Sequence, residues 1–338
     1  MIKKIVLGVT TVTALMATSL TQEAKNAGLV AIPQSESALL KLIDDPRNPI
    51  TAEKTELGKM LFFEPRLSKS GLISCNTCHN LATGGDDGLA AAVGHKWTVN
   101  PHHLGSPTVY NAVFFDKQFW DGRSPDLEDQ AQGPILAAPE MAATKEHVVK
   151  TVTSMPEYVE RFKKAYGQNV KIDYKKIADT IGNFERTLVT PAPFDDFLNG
   201  DTNALSKAQK HGLKTFIDKG CATCHNGIAL GGSMNMVGIT APYKYANIGD
   251  FKGDANGMVK VPTLRNITQT APYFHNGAVT TLKEAIIEMG RIQLGTKISD
   301  KEAASIEEFL KALDGRKPNV IYPILPGESA TTPSQNIK

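Results

Sequence analysis

All four cysteines of this 338-residue chain, and two of its eight histidines, fall into two copies of one pattern. The first is Cys75-Asn76-Thr77-Cys78-His79 and the second is Cys221-Ala222-Thr223-Cys224-His225. C-x-x-C-H is the attachment signature of c-type haem. Two thiols at this spacing can form thioether bonds to the two vinyl groups of one porphyrin, and the next residue offers an imidazole to one axial face of the iron. A redox disulfide or half of a zinc site also uses C-x-x-C, but either reading leaves both histidines unexplained. The chain is therefore expected to carry two covalently bound haem c groups.

Each iron then needs a sixth ligand or an open position. A strong second ligand makes an electron carrier, whereas an open or displaceable position permits chemistry on a small molecule. His95 lies 16 residues after His79 in Gly94-His95-Lys96, a glycine-flanked loop able to swing. Met289, in Glu288-Met289-Gly290-Arg291, ends an amphipathic stretch. Methionine opposite histidine raises a haem potential and a second histidine leaves it lower, so one chain can hold both kinds. On spacing alone, a lone helical Met serves equally as core. His102, His103, His147 and His211 show no ligand spacing. His275, in Tyr273-Phe274-His275-Asn276-Gly277, suits either a bond to a haem propionate or a loop contact.

The elements that must position these residues read mainly as helices joined by long ordered loops. Thr51–Phe62 places Leu57, Met60 and Leu61 on one face. Pro156 opens a helix that Gly167 stops, and Asp173 caps one with Ile177, Ile181, Phe184 and Leu188 at helical spacing. Ser206–Asp218, Thr281–Met289 and Ser299–Leu313 follow the same pattern, and no period-two strand stands out. Residues 81–140 and 226–280 are rich in Gly, Pro and Asn, and loops of that length usually carry function. A helix with Gly58 and Phe62 precedes the first cysteine pair, and one with Gly212 and Phe216 precedes the second. This echo predicts two haem domains, 25–190 and 191–325, and a tail over 326–338.

Composition narrows the classes further. Hydrophobic residues make up 41% and charged residues 21%, enough for ordinary cores. A net charge of +2 argues against a nucleic-acid binder. No run of 18 apolar residues supports a multi-spanning membrane protein. Lys3 and Lys4 followed by the apolar stretch Ile5–Leu20 read as a secretory signal over about residues 1–24, with Ala17 and Ala24 as cleavage candidates. Such a signal predicts a periplasmic protein.

The chain resembles the bacterial dihaem cytochrome c peroxidases over roughly residues 30–320. The matching segments are LGKMLFFEPRLS, ISCNTCHN, GHKW, SPTVYNAVF, FWDGR, LEDQAQGPI, PEM, GCATCHNG, VPTLRNIT, APYFHNGAV and TLKEAIIEMGRI. The resemblance implies two cytochrome c-like domains, mainly α, with a calcium ion between them. It implies a peroxidatic N-terminal haem with His79 proximal and His95 as a displaceable distal ligand. The C-terminal haem would be the electron-transfer centre, held by His225 and Met289. Trp120 matches the aromatic residue between the haems, and Gln130 and Glu140 match the polar residues lining the peroxide pocket. Calcium ligands carry over to Gly105, Thr270 and Pro272. At Gly105 the family commonly has Asn, so that side-chain ligand is lost here and only carbonyls and water remain.

The implied reaction is reduction of hydrogen peroxide to two waters by two electrons and two protons, the electrons coming singly from a small cytochrome c or a copper protein. Heterolytic O–O cleavage moves a proton from the near oxygen to the far one, a task that suits a carboxylate such as Glu140. A homodimer is a further implication. Two alternatives are a dihaem carrier with both irons permanently six-coordinate, and a related oxidase acting on a partner protein's tryptophans. In that oxidase Tyr replaces the distal Met, so Met289 argues against it.

Overall fold

The computed structural model describes residues 19–335. The N-terminal segment carries α1 (Leu20–Asn26) and α2 (Glu36–Ile43). A first set of helices follows: α3 (Ala52–Phe62), α4 (Cys75–Cys78), α5 (Leu127–Gln130), α6 (Gln132–Leu136), α7 (Lys145–Ser154), α8 (Pro156–Tyr166) and α9 (Tyr174–Glu185). The second set is α10 (Pro193–Leu198), α11 (Lys207–Asp218), α12 (Leu282–Gln293) and α13 (Asp300–Lys311). Thr51, Asp173, Ser206, Thr281 and Ser299 each cap a helix, accepting a first-turn N–H on a side-chain oxygen.

Two cores result. Leu57, Leu61 and Phe62 of α3 pack with Phe162 of α8 and Ile177, Ile181 and Phe184 of α9. Phe194 and Phe197 of α10 pack with Leu213 and Phe216 of α11 and Ile306 and Phe309 of α13. Glycine lets the principal helix pairs approach closely. A Cβ on Gly58 would stand 2.2 Å from the Thr180 carbonyl, and one on Gly212 would stand 2.0 Å from that of Ser305. The sequence echo of Gly and Phe is thus the same helix crossing built twice.

Three features add to the sequence reading. Residues 234–236 and 258–260 form a short antiparallel ladder, β1 (Met234–Met236) with β2 (Met258–Lys260), too brief to show alternation. Helix α12 runs on to Gln293, so Met289 sits inside it. Gly290 stays helical because it packs against Ile298, where a Cβ would stand 2.4 Å from the side chain. The termini also cross over. Ala24 and Leu29 are buried in the second core, and the Ile32 N–H donates to Asp195 at 2.8 Å. At the other end Tyr322 packs on Phe63 with ring centroids 4.8 Å apart, and Arg66 donates to the Pro326 carbonyl. Of the cleavage candidates, Ala24 falls within α1 and is fully buried, while Ala17 and most of the apolar N-terminal stretch lie outside the described residues.

A second repeat emerges in the loops. Residues 107–111 read Pro-Thr-Val-Tyr-Asn and residues 262–266 read Pro-Thr-Leu-Arg-Asn. Thr108 and Thr263 donate to the carbonyls of Gly84 and Ala229. Asn111 and Asn266 are both left-handed, each at φ 61°. Their side-chain amides meet on one acceptor, the Thr190 hydroxyl, at 2.8 and 2.9 Å, and all three residues are fully buried. Thr190→Val keeps the shape and orphans two buried donors, each worth about 1–3 kcal/mol. Denaturant unfolding of the holoprotein should show that loss, and Thr190→Ser should recover most of it. Equal midpoints for Thr190→Val and the parent would exclude this role.

Candidate haem sites and the wall between them

Each cysteine pair opens onto its own cavity. The first, of about 720 Å³, is lined by Cys78, His79, Gln130, Pro134, Glu140 and Glu185 among others. The second, of about 220 Å³, is lined by Cys221, Cys224, His225, Met289 and apolar side chains including Leu282, Ile286, Ile306 and Leu310.

The two motif histidines are held alike. His79 Nδ1 lies 2.9 Å from the Pro107 carbonyl, and His225 Nδ1 lies 3.2 Å from that of Leu230. A carbonyl only accepts, so Nδ1 carries the hydrogen and Nε2 keeps its lone pair for a metal. Burial holds both rings below the usual imidazole range, His225 down to about 4, so both stay neutral. Neutral, oriented imidazoles beside paired thiols at buried cavities fit two c-type haems.

The loop repeat is what orients them. Pro107 of the first copy supplies the carbonyl to His79. Tyr110 and Arg265, at the same place in each copy, brace the segment after each motif by donating to the carbonyls of Leu81 and Ile228. Arg265 also pairs with Asp195 at 2.8 Å, both side chains essentially without solvent exposure.

The open side of the first cavity is polar. Gln130 ends α5 on this wall. Glu140 follows α6, and burial raises its carboxyl above the usual range, with Arg123 pulling it partly back. A raised carboxyl suits a group that takes a proton and returns it. Trp120 lines both cavities and donates from Nε1 to the Gly105 carbonyl at 3.0 Å, while the Gly105 N–H donates to the His275 carbonyl at 2.9 Å. Trp120 and His275 stand edge to face with centroids 6.3 Å apart, so the wall is a single packed unit.

This is a dihaem arrangement with unlike halves, and the comparisons agree. A 47%-identical relative, the cytochrome c551 peroxidase of Nitrosomonas europaea, aligns over 84% of this chain and 87% of its own. The chain belongs to the di-haem cytochrome c peroxidase family. The profile of that family matches residues 52–203. The cytochrome c551 peroxidase of Pseudomonas aeruginosa is 44% identical over 90% of this chain and 92% of its own. Among solved structures, a MauG-like protein associated with microbial copper homeostasis superposes with a TM-score of 0.68 at 25% identity, covering 80% of this chain and 92% of that one. The protein is accordingly a cytochrome c peroxidase that carries two haem c groups, and its fold is mainly α.

Gly94 lines the first cavity, but His95 is not among the residues that do so. The His95 N–H is held by the Glu140 carbonyl at 2.7 Å, and Lys96 and Trp97 both take positive φ, at 57° and 56°. The His95 Nδ1 is enclosed without a partner among the described residues.

The calcium expectation gains no support. Thr270 and Pro272 line the second cavity and Gly105 lines both. The Gly105 carbonyl already accepts from Trp120, and among the described residues no group of three His, Cys, Asp or Glu side chains converges on a metal position.

Sequence reading missed Glu185. It lines the first cavity at 5% exposure, and burial with Glu128 nearby pushes its carboxyl up to about 8. The available signal was a charged residue beside Phe184 on the buried side of α9. If each motif holds one haem, Cys75→Ser/Cys78→Ser and Cys221→Ser/Cys224→Ser should each keep one covalent haem. Intact mass and the alkaline pyridine spectrum count them; two remaining in either variant would sink the assignment.

Proposed function

We propose that the first cavity is where hydrogen peroxide is reduced and that the second is where single electrons enter. The observation that carries this reading is the unlike lining of the two cavities around one shared wall. The first pairs His79 with Gln130 and Glu140, and the second pairs His225 with Met289 in apolar surroundings. When bound, the first haem supplies the iron position and electrons for O–O cleavage, and the second stores an electron at the higher potential that a thioether ligand confers.

The side chains supply the rest. Gln130 orients peroxide through its amide. Glu140 accepts the proton of the near oxygen and delivers it to the far one, so that the O–O bond breaks with water as leaving group. Two electrons and two protons then convert one peroxide into two waters. Trp120, facing both cavities, lies on the electron path between them. The electron donor is a small cytochrome c or a copper protein of the periplasm, reached after export by the N-terminal signal, and the working unit is a homodimer.

His95 acts in this reading as a gate that binds the first iron in one state and swings out in another, leaving the position open. Peroxide-dependent oxidation of a reduced small cytochrome c, run on fully oxidised and half-reduced holoprotein, tests the whole reading. Turnover only after half-reduction supports the gate, and His95→Gly should then turn over without prior reduction. Turnover in both states keeps the peroxidase and removes the gate. No turnover with several donors favours a carrier with both irons six-coordinate. Glu140→Gln should keep both haems and slow peroxide cleavage by about two to four orders of magnitude. Unchanged cleavage in stopped flow would remove Glu140 from the mechanism.

A further inference from the structure

Strand β2 ends on Lys260, a lysine with only 3% exposure. Its backbone N–H donates to the Trp120 carbonyl at 2.8 Å, which fixes the residue to the wall between the cavities. Its side chain lines both of them. The ammonium sits 4.6 Å from the centre of the Phe115 ring, and Phe115 likewise faces both cavities.

Among the described residues, this ammonium has no hydrogen-bond acceptor and no ion-pair partner. The nearby carboxylate, Asp121, is committed to Arg123, with both of its oxygens within 2.9 Å of one guanidinium nitrogen. Burial pushes the Lys260 ammonium down to about 7, and Asp121 only partly opposes that. A lysine this enclosed is retained as a cation only when an anion meets it. Peroxide is neutral at ordinary pH and does not supply one. A c-type haem does: it carries propionate carboxylates on the edge opposite the vinyl groups that the cysteines hold.

We propose that Lys260 is a shared anchor for one propionate carboxylate of each haem, partly offsetting their charge at the common wall and setting the two potentials together. The proposal rests on the haem reading of both cavities. A fixed positive charge beside an iron favours its reduced form. Removing Lys260 therefore lowers both potentials, beyond any effect on turnover.

The test is spectroelectrochemical titration of the Lys260→Met holoprotein, with its covalent haem counted by mass. Two haems with both midpoints below those of the parent are expected, and Lys260→Arg should restore both. Two haems with unchanged midpoints would overturn the anchor. A fall at one haem alone would overturn its sharing. A parent chain without two covalent haems would instead overturn the haem reading. Should Lys260→Met not fold, Lys260→Gln removes the same charge and is read the same way.

Discussion

The Thr190 hydroxyl, fully buried between the two halves, holds both haem loops in place. One oxygen accepts from Asn111 of the first loop repeat and from Asn266 of the second. A hydroxyl has two acceptor lone pairs, so it can serve both at once. Each asparagine sits where the chain reverses in a left-handed turn, a conformation that Asn tolerates and β-branched residues do not. From each turn the chain runs back toward a motif histidine, and in the first copy it reaches His79 through the Pro107 carbonyl. The imidazole whose lone pair must face a metal is thus set by a short run of backbone that ends on a shared side chain. Asn111 also accepts from the Thr190 N–H, and Asn266 accepts from the Gly315 N–H, so the junction is stitched from both sides.

The wall between the cavities follows from that junction. With both loops pinned, the segments after them pack face to face, and Trp120 of one meets His275 of the other. Phe119 and Phe274, at φ 66° and 67°, begin the same turn in each half. The Gly105 segment bridges them, accepting from Trp120 and donating to His275. Such a wall is rigid because its bonds are mostly backbone-anchored and its rings interlock. Rigidity of that kind suits a path for electrons, whose transfer depends on fixed distances. It contrasts with residues 94–97, where Lys96 and Trp97 carry consecutive positive φ angles, the mark of a segment with stored strain.

How much of this was legible in the sequence follows from the range of the interactions. The cysteine motifs, the capped helices and the close-packed Gly58 and Gly212 are local patterns, and local patterns can be read directly. Gln130, Glu140 and Trp120 line one cavity, although nothing in their spacing requires it. The Pro-Thr-x-x-Asn repeat was present in the letters but is short and lies in loops, where periodicity gives no guide. The crossing of the termini could not be read, since Leu29 and Tyr322 are apolar residues without any local sign of which core they join. The backbone at His95 is tied to Glu140, 45 residues away in sequence, and such a long-range bond leaves no local sign. Lys260 and Glu185 carry no local sign of enclosure, because burial of a charge is decided by tertiary packing alone.

The same repeat also accounts for why the two halves differ. The isolated bridge Gln118 to Ser124 corresponds to the bridge Tyr273 to Val279, so Ser124 and Val279 are equivalent starting points. From Val279 the chain caps at Thr281 and winds unbroken through α12, and ten residues on it presents Met289 to the second cavity. From Ser124 it caps at Asp126, but the helix is broken between α5 and α6, and ten residues on stands Pro134, which lines the first cavity. Proline has no ligating atom in its side chain and disfavours a continuous helix through its position. The frame that delivers a thioether on one side therefore delivers a ring of carbons on the other. The room left there is bordered by Gln130 at the end of α5 and by Glu140 beyond α6. At one register the two halves thus differ in residue type and in helix continuity, and in the reading we propose that difference separates the electron site from the place where peroxide binds.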